Sequence, residues 1–274
     1  MDISICSYSF HRLLAAGKQD IFQFITDCKA LGCTLLDPWN VHLPKIGEGD
    51  KAVVAGGSGV LTSEERDYVA GIREAADKAG MPFGCIAVDG AHIYEADPAA
   101  REANRLRAYR WLEIAEQLGA RQMRIDAGGP EDMPSDVLAI IKDGYLDLIA
   151  RGKPAGIEII VENHWGPTMT PDNVIRLLET VPGLGYLFDT QNWKPEVRDE
   201  ARRKCAKYAT ATHIKTLTWD DQGNEAGEDV ETPIRLLLES GYQGCWGIES
   251  CPVAGDEYEA AARTVALIKR NVPA

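Results

Sequence analysis

The sequence predicts an α/β fold, a closed (β/α)8 TIM barrel, on three observations. Short apolar segments alternate with helical segments along the 274 residues, which is the pattern of parallel βαβ units with right-handed crossovers. Eight such units can be placed in the chain, and a barrel of this length forms one domain, here residues 1–274. The alternative is a doubly wound open sheet, but the segment after the first strand, SYSFHRLLAAG, lacks the Gly-rich phosphate fingerprint that would favour it.

The predicted strands are short and apolar on both faces, as strands covered by helices are expected to be. They are placed at about residues 2–8, 34–38, 82–88, 121–126, 157–162, 185–189, 210–215 and 245–249. The stretch LLDPWNVHLPKIGEGDKAVVAGGSGVL predicts a long Gly-rich loop between the second strand and its helix.

Glycines after amphipathic segments predict where several helices end. Glycine adopts the left-handed cap conformation at low cost, and a short apolar run follows each of these four residues: Gly32, Gly80, Gly119 and Gly241. Residues 105–118, RLRAYRWLEIAEQL, have the three-and-four apolar spacing of a helix that packs on one face.

Capping signals predict where helices begin. Asp20 precedes a periodic apolar segment, and Thr62 with Glu65 has the spacing of a capping box. Two Thr-Pro pairs each place a cap before a proline at the first helical position: Thr170-Pro171 and Thr232-Pro233.

The composition limits the classes of partner. Asp plus Glu is 42 against 29 for Lys plus Arg, a formal charge of −13, and no basic run offers a footprint for nucleic acid. We expect a small neutral or metal-chelated substrate instead. No apolar stretch approaches the roughly 20 residues needed to span a membrane, and the N-terminus does not resemble a signal peptide.

Seven cysteines without a C-x-x-C motif indicate free thiols in a reducing compartment. The number is odd, and several of the cysteines lie inside apolar strand-like runs. Together with the absence of a signal peptide and a membrane span, this predicts a cytoplasmic location.

The last four predicted strands each carry, at or near their C-terminal ends, a side chain that can ligate a metal. These residues are Glu162, Asp189, His213 and Glu249. Each one alone has another reading: a carboxylate that caps a helix or forms a loop salt bridge, or a hydrogen-bonded core histidine. In a barrel, however, strand ends meet at the catalytic face, and three clustered carboxylates are costly to bury without a cation. Three carboxylates with one imidazole suit a hard or borderline ion such as Mn²⁺ or Mg²⁺.

Two further residues are candidates for proton transfer or oxyanion binding at the same face. His164 lies two positions after Glu162, so both should point to the same side, and an imidazole titrates near neutral pH. Lys215 lies two positions after His213 and should also point inward. The alternatives are a hydrogen-bonding loop histidine and a lysine that only neutralises the acidic residues.

Loop residues at this face are candidates for substrate contacts. Aromatic walls suit sugar faces, and the candidates in the loops are Trp39, His42, Trp165 and Asn192. Packing or a subunit contact is the alternative for each aromatic residue.

Five motifs in order, SYSF, VENHWG, LFDTQN, THIK and GIES, resemble those of the xylose-isomerase-like TIM-barrel superfamily. The resemblance covers essentially the whole chain and implies one divalent ion, commonly Mn²⁺, held by Glu162, Asp189, His213 and Glu249. It also implies proton abstraction beside a carbonyl through a metal-stabilised enediolate. Glu162 and Glu249 are the implied acid–base pair. His164 is a second candidate base, as in related enzymes that cleave 3-oxo-glycosides.

The chain departs from particular members of that superfamily. Ketose 3-epimerases have a His and a Glu where this chain has Asn192 and Thr168, and an Arg in the loop that here offers only Lys215. An ordinary ketose 3-epimerase is therefore disfavoured. Endonuclease IV needs a trinuclear site with more histidine ligands than the five His of this chain supply.

The sequence therefore predicts a metal-dependent sugar or polyol isomerase or epimerase. A lyase or dehydratase acting on a keto-sugar or keto-polyol is the alternative, and a metal-binding subunit or sensor without turnover is a third class. Mn²⁺ is the preferred ion, with Mg²⁺, Co²⁺ and Zn²⁺ as alternatives. A homo-oligomer, either a dimer or a tetramer, is left open.

Overall fold

The computed structural model describes residues 1–273, and within this range seven parallel strands form one curled sheet. The strand order is β1-β7-β6-β5-β4-β3-β2. The strands are β1 (Ile3–Ile5), β2 (Cys85–Val88), β3 (Gln122–Ile125), β4 (Glu158–Glu162), β5 (Gly185–Asp189), β6 (Ala211–Thr216) and β7 (Trp246–Ser250). Predicted strands one and three to eight correspond to β1 and β2–β7, so the predicted barrel fold is confirmed.

The second predicted strand, 34–38, is wrong as a regular strand. An extended segment closes the sheet there through single parallel bridges, from Asp37 to Cys6 of the β1 side and from Leu36 to Phe83 of the β2 side. Pro38 has no N–H to donate, which prevents a continuous ladder. The Asp37 side chain compensates in part, because its Oδ1 accepts a hydrogen bond from Cys85 N at 2.7 Å.

Helices cover the outside of the barrel. Within residues 1–273 they are α1 (His11–Ala15), α2 (Ile21–Leu31), α3 (Pro44–Val54), α4 (Ser63–Ala79), α5 (Pro98–Leu118), α6 (Ser135–Gly152), α7 (Pro171–Thr180), α8 (Arg198–Cys205), α9 (Glu231–Glu239) and α10 (Glu257–Asn271). None of these helices is both long and apolar enough to cross a membrane.

Helix α3 corrects the predicted Gly-rich loop. Pro44 is at its first position, where the missing N–H costs nothing, and Ile46, Asp50 and Val53 form a buried face. Two glycines inside the helix obscured this face in the sequence.

Most of the predicted helix ends are confirmed. Asp20 accepts hydrogen bonds from Phe22 N and Gln23 N, and Thr62 with Glu65 forms the complete capping box. The glycines after α2, α4 and α5 are left-handed caps. Thr170 precedes α7 as predicted, but its side chain makes no capping hydrogen bond.

The start of α9 was predicted two residues too late. The helix begins at Glu231, so Thr232 and Pro233 are its second and third residues. Asp229 Oδ1 accepts the hydrogen bond from Thr232 N at 2.9 Å and is the residue that caps this end. At the other end, Gly241 is left-handed as predicted but lies one residue beyond the cap position, Ser240.

A small apolar layer inside the barrel lies below the strand ends. It consists of Cys85, Ile160, Leu187 and Ala211, and it is separate from the large core between sheet and helices. Three of these residues lie two positions before Glu162, Asp189 and His213, so they share a face with them. This layer therefore forms an apolar floor below the side chains at the strand ends. All seven cysteines are unpaired, as predicted.

A buried ion network ties α5 to α3 and α4. Arg110 is 2% exposed and contacts Asp50 Oδ1 at 3.1 Å and Glu65 Oε1 at 2.6 Å. Trp111 Nε1 donates to the other oxygen of Asp50 at 2.8 Å. These contacts supply two buried carboxylates with a cation and with hydrogen-bond donors.

We predict that Arg110→Ala lowers the free energy of unfolding by about 3–5 kcal/mol, because it leaves two buried carboxylates without their cation. Arg105→Ala is the matched control on the same helix, since Arg105 is exposed and pairs only with Glu102. Arg105→Ala should lower the free energy of unfolding by less than about 1 kcal/mol. Urea unfolding measures both, and equal losses in the two variants would contradict the network's role.

Candidate functional site

Four side chains from adjacent strands converge above the apolar floor. One ligand atom from each of Glu162, Asp189, His213 and Glu249 lies within 4.8 Å of the others. Asp189 and His213 are direct register partners, whereas Glu162 pairs with Leu187 and Glu249 pairs with Lys215. The four side chains therefore reach one point from staggered positions on neighbouring strands. All four are buried, with at most 8% of any residue exposed. The residues that the sequence proposed as metal ligands are thus brought together.

His213 directs one nitrogen at two carboxylates. Its Nδ1 lies 3.1 Å from Glu162 Oε1 and 2.8 Å from Glu249 Oε2. Burial alone would lower the pKa of His213, but the Glu162 carboxylate and the hydrogen bonds around the ring raise it well above its ordinary value. In the absence of an ion, a proton on Nδ1 therefore holds the two carboxylates together. A metal ion would use the same atoms and displace that proton.

Asp189 provides the test of whether a cation fits. Its Oδ1 accepts hydrogen bonds from Gln191 N at 2.7 Å and Asn192 N at 2.8 Å, whereas its Oδ2 accepts none although the residue is fully buried. Burial raises the pKa of Asp189. A buried carboxylate oxygen without a hydrogen bond, beside two more carboxylates and an imidazole, fits a divalent ion.

Asn163, between Glu162 and His164, fixes the position of Asp189. Its Nδ2 donates to Asp189 O, and its Oδ1 accepts from Asp189 N, both at 2.9 Å. Tyr186 OH donates to the same Oδ1 at 2.6 Å. The sequence analysis assigned Asn163 no role, because a hydrogen bond between strands leaves no pattern along one strand.

Lys215 points into the cluster, as its spacing from His213 predicted. Its Nζ lies 3.2 Å from Asp189 Oδ2, 3.2 Å from Glu249 Oε1 and 2.8 Å from Asn192 Oδ1. Burial would lower the pKa of Lys215, but the Asp189 and Glu249 carboxylates raise it well above its ordinary value. The ammonium group therefore stays charged and partly neutralises the cluster.

Arg124 is the main residue of the site that the sequence analysis missed. Its Nε lies 3.1 Å from Glu162 Oε2, and its Nη1 lies 2.7 Å from Asp89 Oδ1 and 3.1 Å from Asp126 Oδ2. Asp89 and Asp126 directly follow β2 and β3. The strand-end rule that identified the ligands would have found both aspartates, had it been applied to these two strands.

A second group of candidate ligand atoms surrounds that guanidinium. Asp89, Asp126 and His164 also place ligand atoms within 4.8 Å of one another. Arg124 contacts both aspartates, so its guanidinium partly balances their negative charge. Burial would raise the pKa of Asp126, but Arg124 and His164 lower it to about 2.

His164 is held by the same aspartate. Its Nδ1 lies 3.0 Å from Asp126 Oδ2, and Trp165 Nε1 donates to that oxygen at 3.0 Å. Burial would lower the pKa of His164, but the Glu162 and Asp126 carboxylates raise it to about 9. Because Asp126 engages Nδ1, Nε2 is the nitrogen left to exchange a proton.

These groups line a cavity of about 400 Å³ at the C-terminal end of the strands. Trp39, predicted to contact substrate, lies in its wall and donates through Nε1 to Asp89 Oδ2 at 2.7 Å. Asn192 lies between Lys215 and Glu162, with its Nδ2 3.2 Å from Glu162 Oε1. Trp165 is 37% exposed beside the cavity. Tyr8 and Leu217, which the sequence analysis did not propose, also line it.

His42 does not reach this cavity, which corrects its predicted placement. It is 0% exposed, and its ring nitrogens lie 3.0 Å from Ser7 Oγ and 3.3 Å from Gln19 Oε1. Burial lowers its pKa to about 4, so it stays neutral. His42 is a core histidine that supports the loop of Trp39.

Solved structures of the same fold include enzymes and a magnesium complex. D-allulose 3-epimerase from Methylomonas sp. has 14% identity and a TM-score of 0.73, covering 99% of this chain and 98% of that chain. The probable 3-DHS dehydratase AsbF from Bacillus anthracis has 12% identity and a TM-score of 0.72, covering 98% and 99%. A xylose isomerase-like TIM barrel protein from Mycobacterium smegmatis in complex with magnesium has 17% identity and a TM-score of 0.67, covering 98% and 95%. At these identities the likeness shows the fold alone.

No curated protein matches the chain. The family model described as xylose isomerase-like TIM barrel, however, matches residues 24–270, which is most of the chain. The protein therefore belongs to the xylose isomerase-like TIM barrel family.

Proposed function

We propose that the protein is a divalent-metal-dependent sugar or polyol isomerase or epimerase that removes a proton beside a carbonyl. The observation that carries this is the convergence of Glu162, Asp189, His213 and Glu249 next to His164, an imidazole fixed by Asp126 at the same cavity. The xylose isomerase-like family to which the chain belongs is consistent with this reaction class.

The four converging residues are the proposed ligands of one ion. When bound, the ion supplies Lewis-acid polarisation of a carbonyl and its neighbouring hydroxyl. Mn²⁺ is the proposed ion, with Mg²⁺, Co²⁺ and Zn²⁺ as alternatives, because an oxygen-rich set with one nitrogen accepts each of these. Arg124 takes up the charge of the neighbouring aspartates, so we propose one ion rather than two.

His164 is the proposed proton carrier. Glu162 and Glu249, the alternative acid–base pair, are both occupied: His213 contacts each, Arg124 contacts Glu162 and Lys215 contacts Glu249. Burial would raise the pKa values of these two carboxyl groups, but the surrounding cations lower them. Weakly basic, occupied carboxylates are poor proton acceptors. Lys215, which keeps its charge, would hold a substrate oxygen.

The base role of His164 depends on the charge of Glu162. With pKa about 9, His164 is protonated at neutral pH when Glu162 carries a full negative charge nearby. A divalent cation bound to Glu162 cancels this charge, which is the largest effect that raises the His164 pKa. In the metal-loaded protein, His164 should therefore have a lower pKa, which would let its neutral imidazole accept a proton near neutral pH.

A lyase or dehydratase acting on a keto-sugar or keto-polyol is the second candidate. Thr168, where ketose 3-epimerases carry a Glu, accepts a hydrogen bond from His164 N at 3.1 Å and so only supports the loop. Asn192 replaces their His and contacts Lys215. One base beside an activated carbonyl also suits β-elimination.

The cytoplasmic location, the homo-oligomer and the single domain of residues 1–274 stay predictions.

We predict that the purified protein binds one Mn²⁺ per chain and that Glu249→Gln weakens this binding at least about 100-fold, because the variant loses one anionic ligand. Glu158→Gln is the matched control: Glu158 begins β4, at the opposite end from Glu162, and accepts a hydrogen bond from Gln122. Titration followed by Mn²⁺ electron paramagnetic resonance measures the stoichiometry and affinity. A protein that binds no divalent ion would remove the proposal.

We predict that saturating Mg²⁺ lowers the pKa of His164 below its value of about 9. The sign follows from charge, because a cation against Glu162 disfavours a second positive charge on the neighbouring ring. NMR titration of the imidazole signals measures the pKa, with His164→Asn assigning the signal. In Glu249→Gln, whose centre holds Mg²⁺ poorly, the same addition should have little effect. An unchanged or raised pKa in the wild-type protein would contradict the prediction.

We predict that His164→Asn keeps its Mn²⁺ but loses about 10²–10⁴-fold in turnover, as expected when a proton carrier is removed. Incubation with candidate ketoses and 3-oxo-sugars in D₂O distinguishes the two reaction classes by mass spectrometry. Deuterium in a product of unchanged composition indicates isomerisation, and loss of water or an aglycone indicates elimination. Undiminished turnover in His164→Asn would exclude His164 as the base.

A further inference from the structure

We infer that the cavity takes a neutral, polyhydroxylated substrate and rejects a substrate that carries a phosphate or carboxylate group. The inference rests on the proposed function and narrows its substrate class. It follows from the pairing of every permanently charged cation among the cavity-lining residues that the structure describes, Arg124 and Lys215.

Arg124 offers no free charge to an anion. It contacts Glu162, Asp89 and Asp126 at 3.1, 2.7 and 3.1 Å, and it is 4% exposed. A phosphate there would have to share a guanidinium whose charge already faces three carboxylates, two of which lie within 3.1 Å of Nη1.

The ammonium group of Lys215 is also already paired with carboxylates. Its Nζ lies 3.2 Å from both Asp189 Oδ2 and Glu249 Oε1, with Asn192 Oδ1 at 2.8 Å. Both carboxylates belong to proposed metal ligands. The ammonium group would still face two carboxylates, so it suits a neutral carbonyl or hydroxyl oxygen better than a dianion.

The total charge of the cavity also disfavours an anion. Three carboxylates line it, those of Asp89, Glu162 and Glu249, and two more, Asp126 and Asp189, lie within 4.8 Å of lining residues, against the two permanent cations. The five carboxylates would still outnumber by one the combined charge of these two cations and a bound divalent ion. The chain as a whole carries −13, which repels anions further.

What the cavity does offer suits hydroxyl groups. The Asp89 side chain is 40% exposed and keeps acceptor capacity beyond the bonds from Trp39 and Arg124. Tyr8 and Trp39, whose rings meet edge to face with centroids 5.0 Å apart, add an aromatic wall. A carboxylate acceptor beside aromatic rings suits the hydroxyl groups and apolar face of an uncharged sugar.

The first test uses inorganic phosphate as the probe on Mn²⁺-loaded protein, measured by calorimetry. Wild-type protein should bind phosphate more weakly than about 10 mM. Asp89→Asn, which removes one partner's charge from Arg124, should bind it at least about tenfold more tightly, since the carboxylate 2.7 Å from Arg124 Nη1 has been neutralised. Asp221→Asn, an exposed aspartate, is the matched control and should behave as wild type.

Two results of this titration would overturn the inference. One is tight phosphate binding by the wild-type protein. The other is an Asp89→Asn variant that retains its Mn²⁺ but binds phosphate no more tightly than wild type, because pairing of Arg124 would then not be what excludes anions.

The second test compares ketoses with and without a terminal phosphate, namely D-fructose with D-fructose 6-phosphate and D-ribulose with D-ribulose 5-phosphate. Solvent deuterium should enter the neutral member of a pair at least about tenfold faster. Faster exchange in the phosphorylated member overturns the inference. Exchange in neither pair counts against the proposed function instead, and the phosphate titration then still decides the charge argument.

Discussion

Three carboxylates buried side by side are the constraint on which the rest of the site depends. Glu162, Asp189 and Glu249 cannot all remain charged in a dry barrel end without cations close to them. The protein supplies Lys215 and a proton on His213 for this purpose. Asp189 Oδ2 lies 3.2 Å from Lys215 Nζ but accepts no hydrogen bond, so this oxygen is the position where a divalent ion could bind. Metal binding, as proposed, and proton uptake would then involve the same group of atoms.

The barrel makes this arrangement rigid. Ile160, Leu187 and Ala211 fill the interior below the four converging side chains, so these side chains cannot turn down into the barrel. Asn163 joins the ends of β4 and β5 through both backbone groups of Asp189. The apolar residues that make the strands recognisable in the sequence thus also fix the height of the ligands.

The barrel and the four converging side chains could be predicted from the sequence because both depend on local patterns. Alternating helices and apolar strands define the fold, and each ligand directly ends or follows its apolar run. The second strand was wrong because Pro38 breaks the ladder while the curled sheet still closes around it. His42 was misplaced because a loop histidine and a buried one look alike in sequence. Arg124 was missed because its role comes from partners on three different strands, which no spacing along the chain reveals.

The positions of the groups that can carry a proton bear on which of the proposed reactions the site could catalyse. Epimerisation at one carbon requires protons to leave and arrive on opposite faces, which takes two carriers or one that moves. Here Glu162 and Glu249 are occupied by cations, Lys215 is held protonated and can donate but not accept, and His164 is fixed by Asp126. A single fixed imidazole suits proton transfer between neighbouring carbons on one face, or elimination, better than inversion at one centre. Among the proposed reactions, we therefore favour aldose–ketose type isomerisation over epimerisation.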